Sequence, residues 1–247
     1  MSKVPLDIMS AGATNKYCSL KSMHLSNQVI SFSQSILNDW LKDQPHSYDS
    51  KTVQQQLIYS LASGAVRSLS SFSLLEEHGI THDLPIISRI LLERYVKADF
   101  ARRSETNAVA LMIHEATKNI RKLELLRDLP SGDASDLQKK IDELQDDKTT
   151  LEGLVSPGYP TNLSEFELFK NCDLEPVYRS SYHWLSRSVH SGFHSGYTEV
   201  TMDPVMEFYA LMTPVETSNF LHMLRSGIRH DDYDALRKNI TDACFNR

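Results

Sequence analysis

Residues 83–103 read DLPIISRILLERYVKADFARR, and their spacing decides the fold class. Pro85 falls in the first turn of a helix that opens at Asp83, where a missing backbone N–H costs nothing. Ile86, Ile87, Ile90, Leu91, Leu92, Tyr95, Val96, Ala98 and Phe100 follow the helical period and cover nearly every side. A helix apolar all round belongs at the centre of a bundle, with other helices packed about it. Arg89 and Glu93 lie four apart on the face of Ile86, Val96 and Phe100. An unpaired charge there is costly, so the two are expected to be embedded as an ion pair.

The flanking segments keep the helical period. From Ser19 to Lys42, Leu20, Met23, Ile30, Ile36, Leu37, Trp40 and Leu41 predict an amphipathic helix ending before Pro45. From Lys51 to His78 one stripe runs through Leu57, Ile58, Leu61, Ala65, Leu69, Phe72 and Leu75, with Gly79 as its C-terminal cap. Small residues on that helix (Ala62, Ser63, Gly64, Ser68) allow a close neighbour.

Residues 105–155 carry two heptad-like faces, Val109 to Leu123 and Leu137 to Val155, separated by the breakers Pro130 and Gly132. They predict a long antiparallel helical hairpin, either a coiled-coil arm or a pair lying on the body of the domain. Ser164 and Glu167 have capping-box spacing. A helix is expected from about Leu174 to Ser191, ended by Gly192. Asp203-Pro204 opens another, Thr213-Pro214 predicts a break or kink in it, Gly227 ends it, and a last helix follows Asp231. The expectation is an all-α, multi-helix bundle of about eight helices. Residues 1–18 form a loose lead-in, and 19–247 form one helical domain with 105–155 as its hairpin arm.

Bulk properties narrow the function. A chain of 247 residues can bury a full core. The net charge of −6 argues against a general nucleic-acid coat protein. Cys18, Cys172 and Cys244 are odd in number and far apart, which fits neither a disulfide framework nor a zinc site, and points to a reducing cytoplasm. The best apolar run, Ala108 to Ile113, is far short of the roughly 18 residues of a membrane span. No signal-peptide pattern opens the chain. Neither a metal nor another cofactor is implied, and glycine-rich phosphate loops are absent.

Residues 178–190 read YRSSYHWLSRSVH, spacing Tyr178, Tyr182, Ser186 and His190 four apart. On an α-helix such a ladder drifts about 40° per step, from the apolar stripe at Tyr178 toward a basic edge of Arg179, His183, Arg187 and His190. That geometry suits a partly buried polar cleft. The bland alternatives are core tyrosines with satisfied hydroxyls and a solvated basic face. Ser186 lacks a nucleophile-elbow context, and Gly192 breaks the helix between His190 and His194, so neither a serine triad nor a zinc helix is supported.

The segment Gly79-Ile80, the run Ile87 to Glu93 and the later Tyr178-x3-Tyr182-x3-Ser186-x3-His190 together resemble an all-helical prokaryotic family catalogued only as a domain of unknown function. The resemblance covers roughly 52–103 and 165–195. It implies that Arg89, Glu93, Tyr178, Tyr182, Ser186 and His190 converge, and it carries no established activity. A more distant likeness is to the HEPN superfamily, helical domains that include RNA-cleaving toxins and defence effectors, marked by an arginine followed shortly by a histidine. Arg187 to His194 and Arg225 to His230 have that spacing. With ten histidines in the chain the spacing alone is unselective, and Arg187 is singled out by its neighbour His190.

Two functions are therefore expected to compete. One is a metal-independent, RNA-cleaving or nucleotide-acting effector of a prokaryotic defence or toxin-like system. In it His190 is the acid or base, Arg187 and Arg89 stabilise phosphate, Glu93 orients Arg89, and Tyr182 or Ser186 positions the substrate. Arg179, His183 and His194 would add anion-binding groups. The other is a non-catalytic interaction or sensing module that self-associates or docks a protein through 105–155, with the polar cluster fixing its helices.

Overall fold

The computed structural model describes residues 19–42, 49–80, 83–129, 134–182 and 204–246. Every regular element among them is helical. In chain order these are α1 (Ser19–Lys42), α2 (Ser50–Glu77), α3 (Leu84–Arg103), α4 (Glu105–Arg127), α5 (Ala134–Glu152), α6 (Glu165–Asn171) and the short α7 (Glu175–Val177). A π-helical turn follows (Tyr178–Tyr182), then α8 (Pro204–Ser226) and α9 (Tyr233–Phe245). The all-α reading stands.

Local chemistry sets the ends of these helices. Asp49 caps α2, its carboxylate accepting from the Thr52 N–H at 2.7 Å. Beyond the other end Gly79 takes φ +69°, the left-handed conformation that glycine adopts without a steric penalty. Pro85 occupies the first turn of α3. The last carbonyls of α3 are not orphaned: Gln54 Nε2 donates to Ala101 O at 2.8 Å, and Asn107 Nδ2 donates to Phe100 O at 3.0 Å. Ser164 and Glu167 form the expected capping box at the start of α6.

The core is built where α2, α3 and α8 pack on one another, with α1, α4 and α9 around them. The helix buried on nearly all sides is α8: Met206 to Val215 and Thr217 to Leu221 are all inside. Its centrality was not foreseen. By contrast α3 contacts α2, α4, α6 and α8 but leaves one side of its N-terminal half in water, with Ile86 39% and Ile90 38% exposed.

The break expected at Thr213-Pro214 is absent, since α8 runs through Pro214. Proline removes one rung of the backbone ladder. Beside it the Thr213 hydroxyl donates to Tyr209 O at 2.6 Å, and the Thr217 hydroxyl donates to Thr213 O at 2.7 Å. Packing on all sides then holds the helix as one element.

α4 is two-natured. Its first half (Ala108 to Leu111) lies in the core, its far end carries exposed Leu125 and Leu126, and exposed Leu129 follows just beyond it. α5 buries only Ile141 and Leu151 and lies along α4. Leu151 joins Val53, Val109 and Ile113 in a small second core.

Candidate functional site

Four side chains from three elements meet at one phenol oxygen. On α3 the i, i+4 spacing brings Arg89 Nε to Glu93 Oε1 at 2.9 Å, and both side chains are partly buried. Arg89 Nη2 also donates to the Tyr182 hydroxyl at 3.0 Å. That hydroxyl lies 2.8 Å from Glu93 Oε1 and is hydrogen-bonded to Glu165 Oε2 at the start of α6. A phenol has one proton, so Tyr182 donates to one of the two carboxylates at a time.

Aromatic packing fixes the ring. Tyr182 is only 2% exposed, stacks on Tyr178 with centroids 5.1 Å apart, and packs against Phe169 at 4.9 Å. Tyr178 in turn meets Phe166 and Phe169 edge-on. The Arg89 guanidinium lies 5.0 Å over the Tyr182 ring, within cation–π reach.

Tyr178–Tyr182 is a π-helical turn and not the opening of an α-helix. The expected α-helix beginning near Leu174 is replaced here by α7 and this turn. Its wider winding invalidates the α-helical drift used to predict which way the ladder faces. The stacked tyrosines show that the two remain neighbours nonetheless.

The electrostatics oppose phenolate chemistry. Burial pushes the Tyr182 hydroxyl well above the ordinary tyrosine range, and the hydrogen bond to Glu165 and the charge of Glu93 push it further. Burial works against the Arg89 charge, yet the hydrogen bond to Glu93 and the contact with Tyr182 prevail and raise its pKa. The cluster is a neutral phenol clamped between a fixed cation and two carboxylates.

Behind Glu93 and Glu165 lies a narrow cleft that they share with Lys97 on α3 and with His114, Glu115 and Lys118 on α4. Its apolar wall is Val96, Leu168 and Phe169. Lys97 Nζ pairs with Glu115 Oε1 at 2.7 Å. Burial raises the Glu115 carboxyl, but the hydrogen bond and charge of Lys97 outweigh this and hold it below its ordinary value. The backbone before α6 holds the His114 ring: Nδ1 accepts from the Leu163 N–H at 3.3 Å, and the ring also hydrogen-bonds the Thr161 backbone. Burial, aided by the Lys118 charge, keeps this imidazole below its ordinary pKa, in the neutral form.

Of the residues expected to form the site, the structure brings Arg89, Glu93, Tyr182 and Tyr178 together. Arg179 is exposed and bonded to Glu175 at 2.6 Å, close to the Phe166 ring. His183, Ser186, Arg187, His190 and His194 lie outside the described residues. In the second arginine–histidine spacing, the His230 backbone N–H donates to Asn219 Oδ1 at 3.1 Å, and its ring packs on Phe32 and His222. No group of three or more metal-ligating side chains occurs among the described residues.

Glu165, His114 and the two lysines escaped the sequence reading. Glu165 was hidden by its neighbour Glu167, which the capping box explains. His114, directly after the apolar run that ends at Ile113, was the available signal.

No curated protein and no solved structure matches the chain. A family model does match residues 55–203, taking in most of α2, α3 to α7, the π-helical turn and the hairpin region between the two half-motifs. That span is more than half of the 247 residues. The chain belongs to the family of unknown function DUF5677.

Proposed function

We propose that this protein is a non-catalytic helical interaction module, and that its Arg89–Glu93–Tyr182–Glu165 cluster is a clamp joining α3 to α6 and the π-helical turn. One observation carries this reading: the Tyr182 hydroxyl is engaged by Arg89, Glu93 and Glu165 at once, in a buried ring that cannot readily ionise. A satisfied buried network of this kind specifies a helix arrangement. The arm supplies the contact face. Leu125 (72% exposed), Leu126 and Leu129 stand at the far end of α4, and the occupant proposed for them is a second copy of this chain. Sedimentation velocity tests it. The wild type should sediment as a dimer and Leu125→Ser/Leu126→Ser as a folded monomer; a monomeric wild type would overturn the self-association.

The second reading is an RNA-cleaving, HEPN-like effector of a prokaryotic defence system, with His190 and Arg187 as its chemical groups and Arg89 and Glu93 beside them. It is favoured by the anchoring of Tyr182. In the sequence Arg187 and His190 follow that residue by five and eight positions. Growth on induction together with RNA integrity tests it, in wild type and His190→Ala. Loss of RNA with the wild type alone would support cleavage; intact RNA and equal growth with both would remove it.

A further inference from the structure

Two arginines meet where α3 crosses α2, with no carboxylate between them. Arg94 leans from α3 over Gly64, which has no side chain to block it. Its Nη1 donates to Gly64 O at 2.5 Å and to the Ser68 hydroxyl. Arg67 stands one turn along α2 from Gly64 and donates from Nη1 to Ser63 Oγ at 3.0 Å. Neither guanidinium makes an ion pair among the described residues. Carboxylates are not scarce in this chain, which has 32 acidic residues against 26 basic ones. Burial and then the Arg67 charge act against the Arg94 cation, and the Glu93 charge opposes them. Glu93 is itself held by Arg89 and Tyr182. An anion lodged between Arg67 and Arg94 would relieve their mutual repulsion.

The serines narrow the ligand. Ser70 and Ser71 on the same helix spend their O–H protons on the carbonyls of Val66 and Arg67. Ser63 and Ser68 instead accept from the two arginines, and neither donates its own proton among the described residues. Each therefore keeps an O–H to offer. Cationic N–H and hydroxyl O–H donors with no free carboxylate select an oxyanion. A carboxylate has two oxygens and one charge, which satisfy a single guanidinium fork. A tetrahedral dianion has three terminal oxygens that two forks can share.

We propose that Arg67 and Arg94 bind the phosphate of a phosphate monoester, with the Ser63 and Ser68 hydroxyls as further donors. Inorganic phosphate presents the same oxygens. At an open surface the dissociation constant is expected to be on the order of a millimolar, weakening as salt screens the charges. The site goes beyond the interaction-module reading and is independent of both self-association and RNA cleavage, because sedimentation and RNA integrity do not read it.

The test is an NMR titration of the arginine Nε–Hε resonances of the full chain with inorganic phosphate, phenyl phosphate and dimethyl phosphate. Ionic strength is held constant with chloride, and the pH is slightly alkaline so that a monoester is doubly charged. The expected result is a saturable shift at Arg67 and Arg94 with phosphate and phenyl phosphate, and roughly tenfold weaker binding of the singly charged diester. Equal affinity for the first two assigns the site to free phosphate, and tighter phenyl phosphate assigns it to an organic ester. Arg67→Gln changes an exposed position, and Arg94→Lys keeps the charge without the fork. Each should weaken phenyl phosphate binding by at least about tenfold, the loss of a hydrogen bond between charged groups. Arginine resonances that respond to chloride alone, dimethyl phosphate bound as tightly as phenyl phosphate, or binding unchanged in either folded variant would overturn the proposal.

Discussion

Arg89 holds Tyr182 in two ways, through a 3.0 Å hydrogen bond from Nη2 to the phenol oxygen and by placing its guanidinium 5.0 Å over the ring. The residues are 93 positions apart, so this contact fastens the π-helical turn to the middle of the bundle.

Tyr182→Phe keeps the ring packing on Phe169 and Tyr178 but removes the oxygen shared by Arg89, Glu93 and Glu165. Three polar groups then lose a partner in a partly buried site. The expected cost is about 1–3 kcal/mol, read from urea denaturation as a lower midpoint with an unchanged slope.

Because Arg89 also pairs with Glu93, single substitutions at Arg89 and Tyr182 should not add. A double-mutant cycle with Arg89→Met and Tyr182→Phe is expected to show a coupling of about 0.5–3 kcal/mol. A coupling of zero would mean that the two contacts contribute nothing to stability.

Gly64 lets Arg94 lie across α2, donating from Nη1 to Gly64 O at 2.5 Å and bonding Ser68. A Cβ on residue 64 would come within 2.9 Å of the Arg94 guanidinium carbon. Gly64→Ala therefore displaces Arg94 and offsets the roughly 1 kcal/mol that alanine gains over glycine in a helix. In an Arg94→Met background the same substitution should stabilise by about that 1 kcal/mol. Thermal unfolding of the four variants checks the change.

Acid should weaken the fold through its histidines. Burial holds His114 and His222 below the ordinary value of 6.5, with Lys118 and His230 respectively adding to the effect. Between their folded values and 6.5 the unfolded chain binds more protons, so stability increases with pH. Their contribution is complete above the unfolded value and is lost as pH falls through the folded ones. His114→Asn should flatten part of this slope in denaturation measured across the histidine range. Glu115, held low by Lys97 against its own burial, adds an acid sensitivity that begins as pH falls below its ordinary value of 4.5 and is complete once pH has passed the folded one.

The periodic segments were legible because helical spacing is a local property. The bounds of α1, the caps at Gly79 and Ser164, and the pairing of Arg89 with Glu93 all follow from residues within a few positions of one another. The same locality misled at Pro214, where proline chemistry predicted a break that packing around α8 does not permit. It misled again at Tyr178–Tyr182, where a repeat of four was read as α-helical and the turn is wider.

The sequence by itself determined that the chain is helical, where most helices begin and end, that Arg89 pairs with Glu93, and that Tyr178 and Tyr182 lie four apart. Only the tertiary structure decided that Glu165 completes their cluster, that His114 is held by the Leu163 backbone, and that α8 is buried on nearly all sides. The physical reason is separation along the chain. Hydrogen bonds from Tyr182 to Glu93 and from Leu163 to His114 span 89 and 49 residues. Which donor finds which acceptor over such distances depends on how whole helices pack, and no local pattern records it.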